Sequence, residues 1–174
     1  DLLKPCVESI LQYTDMSNVE IIVSANGCTD GTRDFVEELQ HKIPGHIQMI
    51  WSDEALGYTK ATNLGIKAAQ GEFIVLLNND TLFLHQNTNQ WLTMMEDVLK
   101  NPQVGLTVPL QLYDYYADAP VIIFFCVMIK KEVLDKIGLL DEIFSPGGGE
   151  DIDFTVRARQ AGYDAIPTVS THFN

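Results

Sequence analysis

Basic residues are scarce in this chain. Eleven lysines and arginines stand against twenty-four acidic residues, a formal net charge of −13. That deficit excludes non-specific binding to nucleic acid or to an anionic membrane surface, since both depend on a positive field. An enzyme of this composition using an anionic nucleotide would need local compensation, and a bound divalent cation is the simplest source. Cysteine is scarce as well. Cys6, Cys28 and Cys126 are odd in number, scattered and without CxxC spacing, which argues against a disulfide framework or zinc site and fits a reducing compartment. Long apolar runs are missing too: the longest, Val121–Ile129, falls far short of the roughly 20 residues that cross a bilayer. No basic-then-apolar leader precedes the first element, so no signal peptide is expected in this stretch. The expected place is the cytoplasm, peripheral to a membrane only through parts of a longer protein.

The chain is long enough for one domain, 1–174, with a sizeable core. Its centre is Gly71–Thr81, where Phe73-Ile74-Val75-Leu76-Leu77 form an unbroken apolar run. Such a run suits a strand covered on both faces, as in a mostly parallel sheet. It stops abruptly at Asn78-Asn79-Asp80-Thr81. In open α/β sheets ligands sit beyond the carboxyl ends of strands, and a hard acid there can hold a divalent cation. The same tetrapeptide also suits a turn, because Asn and Asp hydrogen-bond locally to the backbone.

Elsewhere helix-period and strand-like stretches alternate. Helices are expected over 1–13, 34–41, 57–70, 90–100, 131–137 and 150–161, and strands over 19–25, 47–51, 104–108, 121–129 and 164–169. Residues 111–120 have no periodicity and are expected as a loop. The alternation predicts an α/β fold: a mostly parallel central sheet flanked by helices. A chain of this class that starts on a helix implies a first strand ahead of Asp1.

Three motifs stand in one order. They are NGCTDGT at 26–32, LLNNDT at 76–81 and GGGEDIDFTVRARQAGY at 147–163, with GYTKATNLGIKAAQG at 57–71 between the first two. In this combination the chain resembles the family 2 glycosyltransferases, whose nucleotide-sugar-binding fold is called GT-A. The resemblance covers essentially all of the chain, and the LNxDT pattern is most similar to rhamnosyltransferase-like members. It implies an inverting transfer of a sugar from a nucleoside-diphosphate sugar to a glycan or other hydroxyl acceptor, in polysaccharide or glycan synthesis.

The resemblance also implies roles. Asn26 would contact the nucleobase, at a place where the family often has an Asp pair and this chain has Ala25-Asn26. Asp80 matches the last acid of the family's DxD signature, which holds Mn²⁺ or Mg²⁺ on the diphosphate; Asn78 replaces the first acid, and Asn79 completes the donor-binding segment. His172, in THFN, matches a histidine metal ligand. Lys60 and Asn63 match positions that face the nucleotide, although a solvated helix face is the alternative for Lys60. Asp151 matches the catalytic base and Glu150 an acceptor-binding position, although acids in a first helical turn also stabilise the helix dipole. Gly147–Gly149 would make a mobile segment that closes over the donor. Two neighbouring acids have simpler expected roles: Asp30 as a helix cap, and Asp153 as an ion-pair partner of Arg157 one turn on. Two rival classes remain: a sugar-phosphate nucleotidyltransferase, which would need a Gly-rich, Arg/Lys-bearing loop after its first strand, and a non-catalytic sugar-nucleotide or glycan binder.

Overall fold

The computed structural model describes residues 2–109, 112–114 and 119–168. Its elements, in chain order, are α1 (Leu3–Tyr13), β1 (Ile21–Asn26), α2 (Thr32–Lys42), β2 (Ile47–Ser52), α3 (Tyr58–Ala68), β3 (Phe73–Leu77), α4 (Gln90–Leu99), β4 (Val104–Val108), β5 (Leu112–Asp114), β6 (Ala119–Val121), β7 (Cys126–Lys130), α5 (Lys131–Ile137), α6 (Glu150–Gln160) and β8 (Asp164–Pro167). Short 3₁₀ turns lie at Met16–Asn18 and Glu142–Phe144. The class is α/β, as the alternation implies.

The directions of the ladders are mixed. β1 and β2 pair in parallel, from Ile21 opposite Ile47 to Asn26 opposite Ser52. A second sheet has the order β3-β7-β4-β8. In it β7 runs antiparallel to both β3 and β4, while β8 is parallel to β4. The apolar run of β3 is nonetheless covered on both faces. Ile74 and Leu76 enter the main core with Leu106, Val127 and Phe154, and Phe73, Val75 and Leu77 pack with Met95 and Leu99 of α4. An unbroken apolar strand therefore reports two covering layers, and its neighbours' direction is a separate matter.

The run Val121–Ile129, expected as one strand, is divided. Val121 ends β6, which pairs with β5 in a small antiparallel hairpin inside the expected 111–120 loop; the ladder of β7 begins only at Cys126. Between them Ile122 and Phe124 are buried without being in a strand. Phe124 meets Phe154 edge to face, with ring centroids 5.8 Å apart. Hydrophobicity marks burial here, and burial is achieved by a turn that plugs the core.

Helix α6 is anchored by that plug, because Phe154 is fully buried and Ala158 lies behind it. Phe154→Ala should therefore cost about 3–5 kcal/mol, read as a lower midpoint in urea unfolding. A loss below about 1 kcal/mol would mean that the site around Phe124 collapses to fill the space.

Candidate functional site

Strands β1 and β3 end at the same edge of the molecule and bring their polar turns to one cleft. Asn26, Asn78, Asn79 and Asp80 all line it. The Asn26 Oδ1 accepts the Leu56 N–H at 2.5 Å, which pins the loop after β2 and leaves the Nδ2 donors of the amide uncommitted in that bond. Asp30 bonds into the first turn of α2 from one residue ahead of the N-cap Gly31: its Oδ1 accepts from the Thr32 hydroxyl at 2.6 Å and from the Thr32 N–H at 3.1 Å. These bonds hold its carboxyl below the usual range.

Asn78–Thr81 forms the turn that its amides and carboxylate favour. The Thr81 N–H closes a turn onto the Asn78 carbonyl at 3.2 Å, and the Asn78 N–H donates to the Phe125 carbonyl at 2.8 Å. The turn holds Asn78 half-buried and leaves Asn79 and Asp80 exposed. Asp80 is thus an exposed carboxylate at a strand end.

Helix α3 departs from expectation. Asn63 faces the protein interior and is only 2% exposed. Its Nδ2 donates to the Leu140 carbonyl at 2.9 Å and to Glu142 Oε1 at 3.3 Å, and its Oδ1 accepts the Leu140 N–H at 3.1 Å. An amide so fully used is a structural clasp, so Asn63 is corrected from a nucleotide contact to a fastening between α3 and the 139–144 segment. Lys60 is exposed and does not line the cleft, which leaves it as a solvated helix residue.

The glycine segment is held in place against α3. The Pro146 carbonyl accepts the Tyr58 N–H at 2.5 Å, and the Ser145 hydroxyl donates to the Leu56 carbonyl at 3.1 Å. At Gly57 a Cβ would lie 2.5 Å from the Pro146 Cα, so only glycine allows this approach. Gly148 and Gly149, with φ of 115° and 96°, occupy backbone conformations that L side chains rarely adopt. The buried Glu150 turns back over them, its Oε2 accepting the Gly148 N–H at 2.5 Å. One of its two oxygens therefore organises the loop, a simpler task than binding an acceptor.

Asp151 is the next residue and stands differently. It is half-buried and lines a small cavity of about 250 Å³ together with Tyr58, Asn78, Ile123, Phe124 and Glu150. The turn of β3 and the first turn of α6 therefore face a common space. Burial raises the Asp151 carboxyl above its ordinary value of 3.8, and the Glu150 charge adds to this against the opposing Ile152 N–H. Tyr58 is pushed up to about 12, chiefly by burial, and its hydroxyl donates to the Phe124 carbonyl at 3.2 Å. Tyr58 was not singled out in the sequence; the only signal was an aromatic residue directly after Gly57. Asp153 pairs with Arg157 at 2.7 Å, and Arg157 also donates to the Ile137 and Leu139 carbonyls, so this pair is structural as expected.

Among the described residues no group of three His, Cys, Asp or Glu side chains gathers as a metal cage, and His172 lies outside those residues. The donor set at the cleft is nonetheless oxygen-rich, with the exposed carboxylate of Asp80 beside the amides of Asn78 and Asn79. That fits a Mg²⁺- or Mn²⁺-like ion, which commonly takes one or two protein carboxylates and completes its shell with water and phosphate.

The α/β scaffold, with a cleft at the strand ends beside an acid-led helix, is that of the GT-A fold, as two solved structures show. A mannosyltransferase from Pyrobaculum calidifontis, solved with GDP-mannose and Mn²⁺, superposes with a TM-score of 0.78 at 20% identity, over 95% of this chain and 50% of that one. GalNAc-T7, solved with UDP, GalNAc and Mn²⁺, gives a TM-score of 0.75 at 15% identity, over 96% of this chain and 40% of that one. The chain belongs to glycosyl transferase family 2, whose model matches residues 1–116. Among curated relatives, the putative glycosyltransferase EpsH of Bacillus subtilis is 36% identical over 78 residues, covering 45% of this chain and 22% of that protein. The O-antigen biosynthesis protein RfbC of Myxococcus xanthus is 22% identical over 98% of this chain and 16% of its own length. The chain thus spans about a fifth of the curated relatives it matches.

The raised carboxyl of Asp151 makes a signed prediction. Ionising it costs folding free energy; the cost is absent below the unfolded value near 3.8 and grows as pH rises through the higher folded value. As pH rises from below about 3.8 through the raised folded value, the wild type should therefore lose stability relative to Asp151→Asn. Calorimetric melting of both proteins across that range checks it, and a pH-independent difference in Tm would remove the buried-charge account.

Proposed function

We propose that this domain transfers a sugar from a nucleoside-diphosphate sugar to an acceptor hydroxyl with inversion at C1. The observation that carries the reading is the shared cavity, which sets the Asp151 carboxylate opposite Asn78 at the end of β3. The donor lies in the cleft between Asn26 and Asp80, its base within reach of the Asn26 amide and its diphosphate at Asn78–Asp80. The acceptor enters beside Tyr58 and Ile123. Asp151 takes the proton of the acceptor hydroxyl as that oxygen bonds to C1; the bond from C1 to the phosphate oxygen breaks, and its electron pair leaves on the diphosphate. A carboxyl raised above the usual range is a better base for this step than an exposed one.

Asp80, with His172, would hold a divalent cation, Mn²⁺ or Mg²⁺, which supplies positive charge beside the leaving diphosphate. This role answers the shortage of basic residues in the chain. Glu150 sets the path of the 147–149 loop and thereby the position of Asp151. In substrate terms the reading is a hexosyltransferase, rhamnosyltransferase-like, acting in polysaccharide or glycan synthesis. The family membership supports sugar transfer, and the O-antigen relative supports a place in glycan synthesis.

Two experiments test the assignment in the full-length protein. Asp151→Asn keeps the shape of the side chain while abolishing its basicity, so kcat should fall roughly 10²–10⁴-fold with nucleotide affinity near wild type. Asp153→Asn, which breaks a structural pair, should lower kcat far less. If Asp151→Asn transfers at the wild-type rate while Glu150→Gln is dead, the base belongs one residue earlier.

The metal assignment is checked by titration calorimetry of a nucleoside diphosphate with Mn²⁺ and with EDTA. Wild type should bind more tightly with Mn²⁺, and Asp80→Ala should lose most of that difference. Equal affinity under both conditions, with Asp80→Ala silent, would take the cation out of the mechanism.

A further inference from the structure

Residues 122–125, between β6 and β7, lie outside any ladder, so their carbonyls need partners from elsewhere. Two are supplied across the site. The Phe125 carbonyl accepts the Asn78 N–H at 2.8 Å, and the Phe124 carbonyl accepts the Tyr58 hydroxyl at 3.2 Å. Phe124 is only 4% exposed, so a carbonyl left unpaired there would be destabilising. Tyr58 is fastened at its main chain as well, its N–H donating to the Pro146 carbonyl. One residue of α3 thus ties both segments that meet α6: the turn packed on Phe154 and the loop that leads into Glu150.

Asp151 feels that turn directly. Its Oδ1 accepts the Ile152 N–H at 2.8 Å, a bond internal to α6. The Phe124 N–H acts on the same carboxylate and favours its charged form. The carboxylate is therefore oriented by two backbone donors, one on its own helix and one on the turn. The second is held where it is by Tyr58. Tyr58 and Asn78 are also the two residues common to the cleft at the strand ends and the cavity of Asp151. The phenol stands at the boundary between the two spaces.

We propose that Tyr58 is a positioning residue for sugar transfer: its hydroxyl holds the Phe124 turn, and through the Phe124 N–H it fixes the direction in which Asp151 presents its carboxylate to the acceptor. The inference rests on the reading of Asp151 as the base. The phenol suits the task because it keeps its proton. Burial first, and then the Glu150 and Asp151 charges, push it up to about 12, so at neutral pH it donates and takes no part as a base. The Thr62 hydroxyl, one turn further along α3, acts on the same oxygen, which leaves the phenol proton to the Phe124 carbonyl. Small errors of aim matter at a reacting group: a misplacement of about 1 Å can lower the rate about 10²-fold. The contribution of the hydroxyl should therefore be read in kcat and not in donor binding.

Kinetics of Tyr58→Phe in the full-length protein test it. The ring and its packing stay, and one oxygen goes. kcat should fall roughly tenfold to a hundredfold, with affinity for a nucleoside diphosphate near wild type. The acid limb of the kcat profile should move to higher pH, because Asp151 loses the hold of a donor to its charged form. A lower Tm with kcat and its pH profile unchanged makes the hydroxyl merely structural and overturns the proposal, as does a loss of nucleotide affinity in place of rate. If Tyr58→Phe does not fold, a fluorinated tyrosine at position 58 decides. It keeps the donor but ionises at lower pH, so kcat should fall as absorbance shows that phenol losing its proton. A constant kcat through that titration overturns the proposal. Asp151→Asn is assayed alongside. If it transfers at the wild-type rate, the base assignment fails and this inference with it; if it is slow while Tyr58→Phe is unimpaired, this inference alone fails.

Discussion

A single buried amide couples the two functional regions of this protein. Asn63 cannot remain in the interior without partners, because an unpaired buried donor or acceptor costs about 1–3 kcal/mol. It finds them on the backbone of Leu140 and on Glu142, remote in sequence from α3. That requirement docks the 139–144 segment onto the helix leading to β3. Ser145 and Pro146 then follow onto Leu56 and Tyr58, and α6 starts where Asp151 can face the end of β3. The position of the candidate base thus depends on hydrogen bonds made some distance before it.

Electrostatics shape the site in a complementary way. The chain is strongly acidic, yet its acids are given separate tasks. Asp30 and Asp153 are engaged by a cap and an ion pair, and Glu150 by a glycine N–H. Asp80 is left exposed at a strand end. Asp151 is partly buried among Phe124, Tyr58 and Ile123, which raises its proton affinity. Carboxylates of ordinary chemistry become a cap, a clasp, a charge at a strand end and a group of raised proton affinity, according to what surrounds each of them.

Much of this was legible in the sequence where a local rule governs. β3, β4 and α5 span the ranges that the apolar pattern predicts. The Asp153–Arg157 pair and the Asp30 cap follow from spacing within one turn. The less legible features are those set by distant partners. Asn63 resembles a nucleotide contact because its position in the helix says nothing of Leu140, 77 residues away. The run 121–129 looks like one strand because apolar character does not separate a ladder from a plug under Phe154. The antiparallel direction of β7 leaves no trace in the composition of β3. Gly147–Gly149 suggested mobility, yet Gly148 and Gly149 serve there for conformations at φ of 115° and 96°, and the segment is fastened at both flanks.

The contact between Gly57 and Pro146 has a mechanical consequence. With no room for even a methyl group between them, the helix carrying Tyr58 and the loop leading to Asp151 touch as two hard surfaces. Stiffness at such a joint is set by repulsion, which rises far more steeply than a hydrogen bond weakens. A small displacement of α3, such as a ligand settling at the ends of β1 and β3 could produce, would reach the 145–149 loop with little damping. The joint acts as a strut, transmitting push from one side of the site to the other while resisting separation only through the Tyr58 and Ser145 hydrogen bonds.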